Sequence, residues 1–149
     1  MASLGGCAGS GGSSSTYVDG EIDPSEIDAS NNSSRSPAEV SAAAAVAEVE
    51  ATNSASSLDS LRLDSHEFAV EGGYKGPVVR GTVTNTSDQK IKLAEVRVRV
   101  FDDNGTYLGL FVDSVGELPP ETTWQFEVLV LASLDKLATY DIGVFGIPE

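Results

Sequence analysis

The fold is decided by residues 91–101, which read IKLAEVRVRVF. From Val96 onward valine alternates with arginine, so the valines fall on one face of a strand and the charges on the other. Ile91 and Leu93 alternate in the opposite phase. One extra residue in a strand flips the facing side, so we expect a β-bulge near Ala94.

Shorter strand-like runs of apolar and β-branched residues flank this segment, and turn residues separate them without a long helical pattern between. Such spacing predicts an all-β fold, an antiparallel sandwich of roughly six or seven strands in preference to a barrel. The runs occupy 66–70, 78–84, 107–112, 124–131 and 140–145. The expected core consists of Phe68, Val83, Val96, Val98, Val100, Leu110, Trp124, Phe126, Val128 and Ile142.

The chain has 149 residues, and its large apolar side chains concentrate after position 60. Residues 1–60 are dominated by Ser, Ala, Gly and acidic residues, which offer too little apolar surface to offset the entropy of ordering a chain. We therefore predict a flexible, largely disordered acidic tether over 1–60 and a sandwich domain over 61–149. Inside the tether, a capping-box pattern at Ser36 and an alanine-rich run predict a short helix over 37–50 that docks weakly or not at all.

The chain is strongly acidic, with 23 Asp and Glu against 9 Lys and Arg and a formal net charge of -14. Nucleic-acid phosphates and anionic lipid heads repel such a chain, so neither is an expected partner. The excess of acid also fits a protein that stays soluble in concentrated salt, where a short Debye length weakens repulsion between carboxylates. This pattern favours a halophilic, haloarchaeal source over an ordinary acidic secreted protein.

Residues 4–7 read LGGC and are followed by a Gly- and Ser-rich run. This resembles the lipobox of prokaryotic lipoproteins, which implies a lipid on the sulfur of Cys7 and a place on the extracellular face of the membrane. Residues 1–3 lack the positive start and the apolar stretch of a signal peptide, so anchoring is expected only if a signal peptide precedes the given start. Otherwise Cys7 is a surface cysteine of a soluble protein. The single cysteine excludes an internal disulfide.

Three stretches resemble the FxLYD domain of prokaryotic surface proteins, namely 80–87, 96–105 and 118–126. They contain a G-x-V-x-N-x-S strand end, an aromatic-Asp-x-x-Gly turn and a Leu-Pro strand start. Two positions depart from the family pattern, with Phe101 in place of the usual Tyr and Glu121 in place of a common Gly. The resemblance covers most of the expected sandwich domain. It implies an immunoglobulin-like sandwich at the cell envelope, without an activity or binding residues.

Patterns for catalysis and metal binding are sparse in this chain. The one histidine, His66, lies at the start of a strand beside Glu67 and is expected to be an ordinary exposed residue. Triad catalysis needs a base near a nucleophile, and structural zinc needs three or four Cys or His ligands. We therefore predict no catalytic residues, no cofactor and no metal centre of this kind.

Acidic turns and sequons are the remaining candidate sites. Asp102 and Asp103 at an expected hairpin tip, together with Asp88, predict at most a weak cation site on one end of the sandwich, with an ordinary turn as the favoured interpretation. Asn-x-Ser/Thr sequons are candidate glycosylation sites if the protein is exported. They begin at Asn31, Asn32, Asn85 and Asn104.

The sequence as a whole predicts a non-catalytic cell-envelope protein. We expect a lipid-anchored, monomeric β-sandwich module that binds or scaffolds an unidentified surface partner and touches the membrane only through a lipid on Cys7. A purely structural surface spacer and a hydrolase that uses loop carboxylates are the alternatives. A partner strand could pair with an exposed strand edge by β-augmentation, whereas two carboxylates facing each other across a cleft would favour the hydrolase.

Overall fold

The computed structural model describes residues 17–22, 38, 42, 51–71 and 75–149. In these residues it contains seven β-strands and one short 3-10 helix, Leu134–Lys136. The strands are β1 (Tyr17–Glu21), β2 (Leu61–Val70), β3 (Pro77–Asn85), β4 (Ile91–Phe101), β5 (Tyr107–Leu118), β6 (Thr123–Leu129) and β7 (Thr139–Pro148).

The strands form two antiparallel sheets, one with the order β1-β7-β4-β5 and the other with the order β2-β3-β6. The predicted all-β antiparallel sandwich is confirmed. Its arrangement is immunoglobulin-like, since β2, β3 and β6 correspond to strands A, B and E, and β4, β5 and β7 correspond to C, C′ and F. β1 lies where an immunoglobulin domain places its last strand, G. A strand from the early part of the chain therefore completes the sheet.

The inner faces of the two sheets enclose one apolar core. Trp124 is only partly buried but packs against this core. The prediction that Leu110 belongs to the core is wrong, because this residue is 37% exposed. It pairs with Arg99 on the outer face, whereas Phe111 pairs with the buried Val98 and packs against the core. The other predicted core residues are buried, namely Phe68, Val83, Val96, Val98, Val100, Phe126, Val128 and Ile142.

β4 runs through the middle of the four-stranded sheet, paired with β5 on one side and with β7 on the other. The expected irregularity is present, but the register against β7 shifts between Ile91 and Leu93 rather than at Ala94. Ile91 and Ala94 both lie in the core cluster with Val96. The extra residue thus falls at the start of the strand, where it brings both halves of the strand onto the inner face.

Two parts of the expected tether belong to the sandwich. β1 pairs with β7 along its whole length, and Ser56 forms a bridge with Gly146 further along the same strand. Leu58 packs against the core, and Ile22 is buried in it. The expectation of a flexible, disordered tether is therefore wrong for these two segments, because they pair with the backbone of β7 and bury apolar side chains.

Further predictions for the first part of the chain lie outside the described residues. Of the helix expected over 37–50, the structure describes only Ala38 and Ala42, which are helical and exposed. Cys7 is not among the described residues. In the part of the chain that is described, no helix is long and apolar enough to cross a membrane.

Candidate functional site

The edge of β7 that faces away from β4 carries both docked parts of the tether. β1 pairs with residues 139–143 in antiparallel register. Ser56 and Gly146 then exchange two backbone hydrogen bonds of 3.0 and 2.8 Å. We call residues 139–146, on this side of β7, the docking edge. An unpaired strand edge is a template for other chains, so the occupants of the docking edge decide what can pair there.

Gly20 lies directly opposite Tyr140 in the pairing of β1 with β7. The Tyr140 ring covers the glycine so closely that a Cβ at position 20 would lie 2.1 Å from Cζ of the ring. Tyr140 belongs to the core and is only 3% exposed. A larger residue in place of Gly20 therefore displaces either the ring or the strand.

His66 supports the Tyr140 ring from the other sheet. Its Nδ1 lies 2.7 Å from the Tyr140 hydroxyl oxygen, within hydrogen-bond distance. Burial lowers the pKa of His66, and burial together with the negative charge of Glu67 raises the pKa of Tyr140 to about 12. The expectation of an exposed histidine is wrong, since His66 is half-buried in a cross-strand row with Gly81 and Phe126.

Arg99 ties β1 to its neighbours on the outer face of the sheet. Its guanidinium carbon lies 3.8 Å from the centroid of the Tyr17 ring, a cation–π contact. The same guanidinium donates two hydrogen bonds to Asp141, at 2.8 and 2.6 Å. This bidentate pair fixes the plane on which the ring rests. One arginine of β4 thereby connects three neighbouring strands.

Arg97, also on β4, holds the second docked segment, which contains Thr52 and Ser56. It donates to the carbonyl oxygen of Thr52 at 2.8 Å and to Oε2 of Glu95 at 2.6 Å, and it lies 4.1 Å from the centroid of the Phe145 ring. Both carboxylate oxygens of Glu95 lie 3.2 Å from the Thr52 nitrogen, which donates to them. Glu95 is fully buried, so its charge depends on these partners. The segment that follows residue 51 is therefore clamped onto β4.

The outer face of the three-stranded sheet forms a shallow groove of about 600 Å³. Its cations are paired with carboxylates of the same domain, since Arg80 donates to Glu67 at 2.9 Å and Nζ of Lys75 lies 3.0 Å from Oε1 of Glu127. Glu67 and Glu127 flank Arg80 on the two neighbouring strands, so the positive charge of Arg80 lies between their carboxylates. The large apolar side chains that are exposed in the described residues lie elsewhere, at Val18, Tyr107, Leu110 and Leu131.

The structure does not bring the predicted cation ligands together. Asp88 precedes β4 and Asp102 follows it, so the eleven residues of this strand, roughly 36 Å, separate them. Oδ1 of Asp102 accepts hydrogen bonds from the backbone of Asn104 and Thr106 at 2.9 and 2.8 Å. Within the described residues, no group of three or more His, Cys, Asp or Glu side chains could hold a metal ion. The prediction of a cation site shared by Asp88, Asp102 and Asp103 is therefore wrong. The interpretation of Asp102 and Asp103 as part of an ordinary turn is confirmed.

The predicted modification sites have different outcomes. Asn85 is fully buried, and its Nδ2 donates to three backbone carbonyl oxygens at 2.8 to 3.2 Å. The prediction of a glycan on Asn85 is therefore wrong for the folded domain. Asn104 is exposed at the hairpin, and its glycosylation stays a prediction. Asn31, Asn32 and Cys7 lie outside the described residues.

Sequence reasoning missed the docking edge. The signal was present in YVDGEI, residues 17–22, where Val18, Gly20 and Ile22 alternate toward the inner face. Glycine at the middle position hides the period of two, because it carries no apolar side chain. The fit between Gly20 and Tyr140 joins residues distant in the chain, and a pattern within one strand does not show it.

Comparison of the chain with protein-family models, with curated proteins and with solved structures gives no match. The resemblance to the FxLYD domain stays a prediction from the motifs. The docking edge is therefore described by its own contacts alone.

Proposed function

We propose that the chain is a non-catalytic cell-envelope protein, anchored through a lipid on Cys7, whose sandwich binds or scaffolds a partner at the cell surface. The docking of β1 carries this proposal. Ten residue steps join Cys7 to Tyr17, and they span at most roughly 36 Å. A lipid on Cys7 would hold the sandwich beside the membrane rather than at the end of the whole segment 8–60.

The groups best suited to acid or base chemistry have structural partners. His66 is bound to the Tyr140 hydroxyl group. Oδ2 of Asp113 accepts the backbone N–H of Glu127 at 2.9 Å, which joins the edges of the two sheets, and burial raises the pKa of this aspartate. Asp102 shapes a hairpin. These contacts favour a packing role over catalysis, which needs such groups aimed together into a cleft.

The resemblance to the FxLYD domain supports a place at the cell envelope, and its motifs have structural reasons in this chain. Gly81 has no room for a side chain, because a Cβ there would lie 2.0 Å from the carbonyl oxygen of Ser65. Asn85 donates to the carbonyl oxygens of Leu118 and Pro119 at 3.2 and 3.1 Å, which links the first motif to the third. The motifs build the sandwich, so binding is expected on other surfaces.

The anchoring is tested on membranes isolated from the source organism, by the intact mass of the peptide that bears Cys7. We expect a lipid-modified Cys7 that has become the first residue of the chain. A Cys7→Ser variant expressed in the same cells should leave the membrane fraction. An unmodified Cys7 that is still preceded by residues 1–6 would contradict the proposal.

A purely structural spacer is the second candidate, and the pairing of the cations in the groove favours it. Arg80 and Lys75 already meet carboxylates beside this face, so their positive charges are compensated before any ligand binds. Chemical cross-linking on intact cells distinguishes the two candidates. A binding module should give a defined cross-linked partner, whereas a spacer should give none above the level of an unrelated surface protein.

A further inference from the structure

β1 is an edge strand of the sandwich, and a long connection separates it from the next docked segment. In the described residues it pairs with one neighbour only, β7. Residues 23–51 connect Ile22 to Thr52, the next clamped position. This stretch of chain spans at most roughly 110 Å. β1 can therefore reach its own docking edge or the docking edge of a neighbouring molecule.

The docking edge selects for the sequence that fills it. The Tyr140 ring leaves room only for glycine at the opposite position. Two residues further along, Ile22 is buried in the core. Three residues before the glycine, the Tyr17 ring stacks on Arg99. The fitting ligand is thus an extended peptide with an aromatic residue, a glycine and an aliphatic residue at fixed spacing.

We infer that the docking edge is a strand-acceptor site for peptides of this class, and that it exchanges its own β1 for β1 of a second copy of the chain. β1 is the sequence seen to fit, and every copy carries it. Reciprocal exchange gives a two-fold pair in which each copy supplies the strand that completes the other.

The linked strand has the advantage in dilute solution. The connection gives β1 an effective concentration at its own docking edge, which is in the millimolar range for short flexible linkers and falls with length, so docking within one molecule prevails until copies are equally crowded. Anchoring on a membrane supplies such crowding. In this respect the inference names the partner for the proposed binding role and rests on it, whereas the acceptor site itself does not depend on a lipid.

Paired cysteines test the exchange in the full chain. Glu21 and Thr139 are opposite one another at the end of the pairing, and both are exposed. One copy carries Glu21→Cys and the other Thr139→Cys, each with Cys7→Ser so that no other thiol remains. The copies are mixed at a concentration on the order of 1 mM in a glutathione redox buffer. Asp88→Cys, exposed at the far end of β4, replaces Thr139→Cys in the control mixture.

We expect at least a tenfold excess of mixed-disulfide dimer over the control mixture. Equal yields in the two mixtures would overturn the exchange. Adding Gly20→Val to the copy with Glu21→Cys should remove the excess, and an unchanged yield would overturn the requirement for glycine. Both cysteines placed in one chain should form an internal disulfide in dilute solution, and its failure would overturn the docking register. These chains carry no lipid, so a negative result here leaves the mass measurement on Cys7 as a separate test.

Discussion

β4 and β1 lie on opposite sides of β7, and the sheet holds them by different means. β4 has eleven residues, pairs along both edges and places three fully buried valines in the core. β1 has five residues and pairs along one edge. Its inner face carries the half-exposed Val18 and then Gly20, before Ile22 enters the core. β4 is held by the burial of many side chains, whereas β1 is held by its fit to one site.

This difference has a consequence for motion. Removal of β4 would expose the core to water, so this strand separates only when the whole domain unfolds. When β1 leaves, the sandwich loses five backbone pairs, one buried aliphatic side chain and two contacts of the Tyr17 ring, with Arg99 and with Phe145. Segments with few buried contacts open below the free energy of global unfolding. We therefore expect the docking edge to open while the rest of the sandwich stays folded.

The largest predicted effect comes from a charge placed on the inner face of each strand. Val98→Asp buries a carboxylate at a fully buried position of β4 and should cost more than about 5 kcal/mol, enough to unfold the domain. Val18→Asp on β1 is the matched control at a position that is 49% exposed, and it should cost less than about 1 kcal/mol. Urea unfolding of both variants measures the contrast. Similar losses would mean that the two strands are held alike.

The second effect concerns the clamp on the segment after residue 51. Arg97→Met leaves the buried Glu95 without its cation and should lower the free energy of unfolding by about 3–5 kcal/mol. The double variant with Glu95→Gln removes both charges and should recover most of that loss. Urea unfolding is again the measurement. A double variant as unstable as Arg97→Met alone would show that the loss comes from packing on Phe145 and not from the stranded charge.

The two strands also show how much of the fold the sequence predicts. The alternation from Val96 to Val100 comes from burial on one face, so a single strand reveals it. Leu110 was placed in the wrong phase, because the inward position belongs to the adjacent Phe111 and only the pairing with β4 shows this. The docking edge depends on a glycine that matches a distant ring. Such a match leaves no period within β1, and it appears only when β7 is in place.

The separation of Asp88 from Asp102 was missed for a related reason. Both residues lie in turns, and turns alone do not show which end of the sandwich they occupy. The length and direction of β4 between them decide the matter, and they put the two aspartates at opposite ends. The local sequence pattern therefore predicted the strands well, whereas it did not predict sites that are formed by two segments distant in the chain.

The third effect uses the protonation of His66 to weaken the β1 side of β7. The pKa of His66 is lowered by burial, so the folded state favours the neutral imidazole more than the unfolded state does. Its stabilising contribution is present above the usual pKa near 6.5 and is lost as the pH falls through the lowered value. Protonation places a positive charge on the half-buried imidazole that contacts the Tyr140 hydroxyl, so amide exchange on the docking edge should rise before exchange in β4. His66→Gln should lose this pH dependence.

The smallest effect concerns the turn before β6. Glu121 has a φ of 55°, a conformation in which a side chain is strained and glycine is not. Glu121→Gly should raise the free energy of unfolding by about 0.5–1 kcal/mol. Glu121→Ala keeps the Cβ and is the matched control, which should show no such gain. Thermal unfolding measures both, and equal stabilities of the two variants would contradict strain at this position.

β1 completes the sandwich by filling the docking edge, and Gly20 is the residue on which this fit depends. Hydrogen exchange in the Gly20→Val chain, with Asp19→Val as the matched control, tests it most directly. We predict at least tenfold faster exchange for the amides of 139–143 that face β1, with β4 unchanged and the control like the unaltered chain. Unchanged exchange on the docking edge in Gly20→Val would contradict the claim, as would an equal loss of protection in β4.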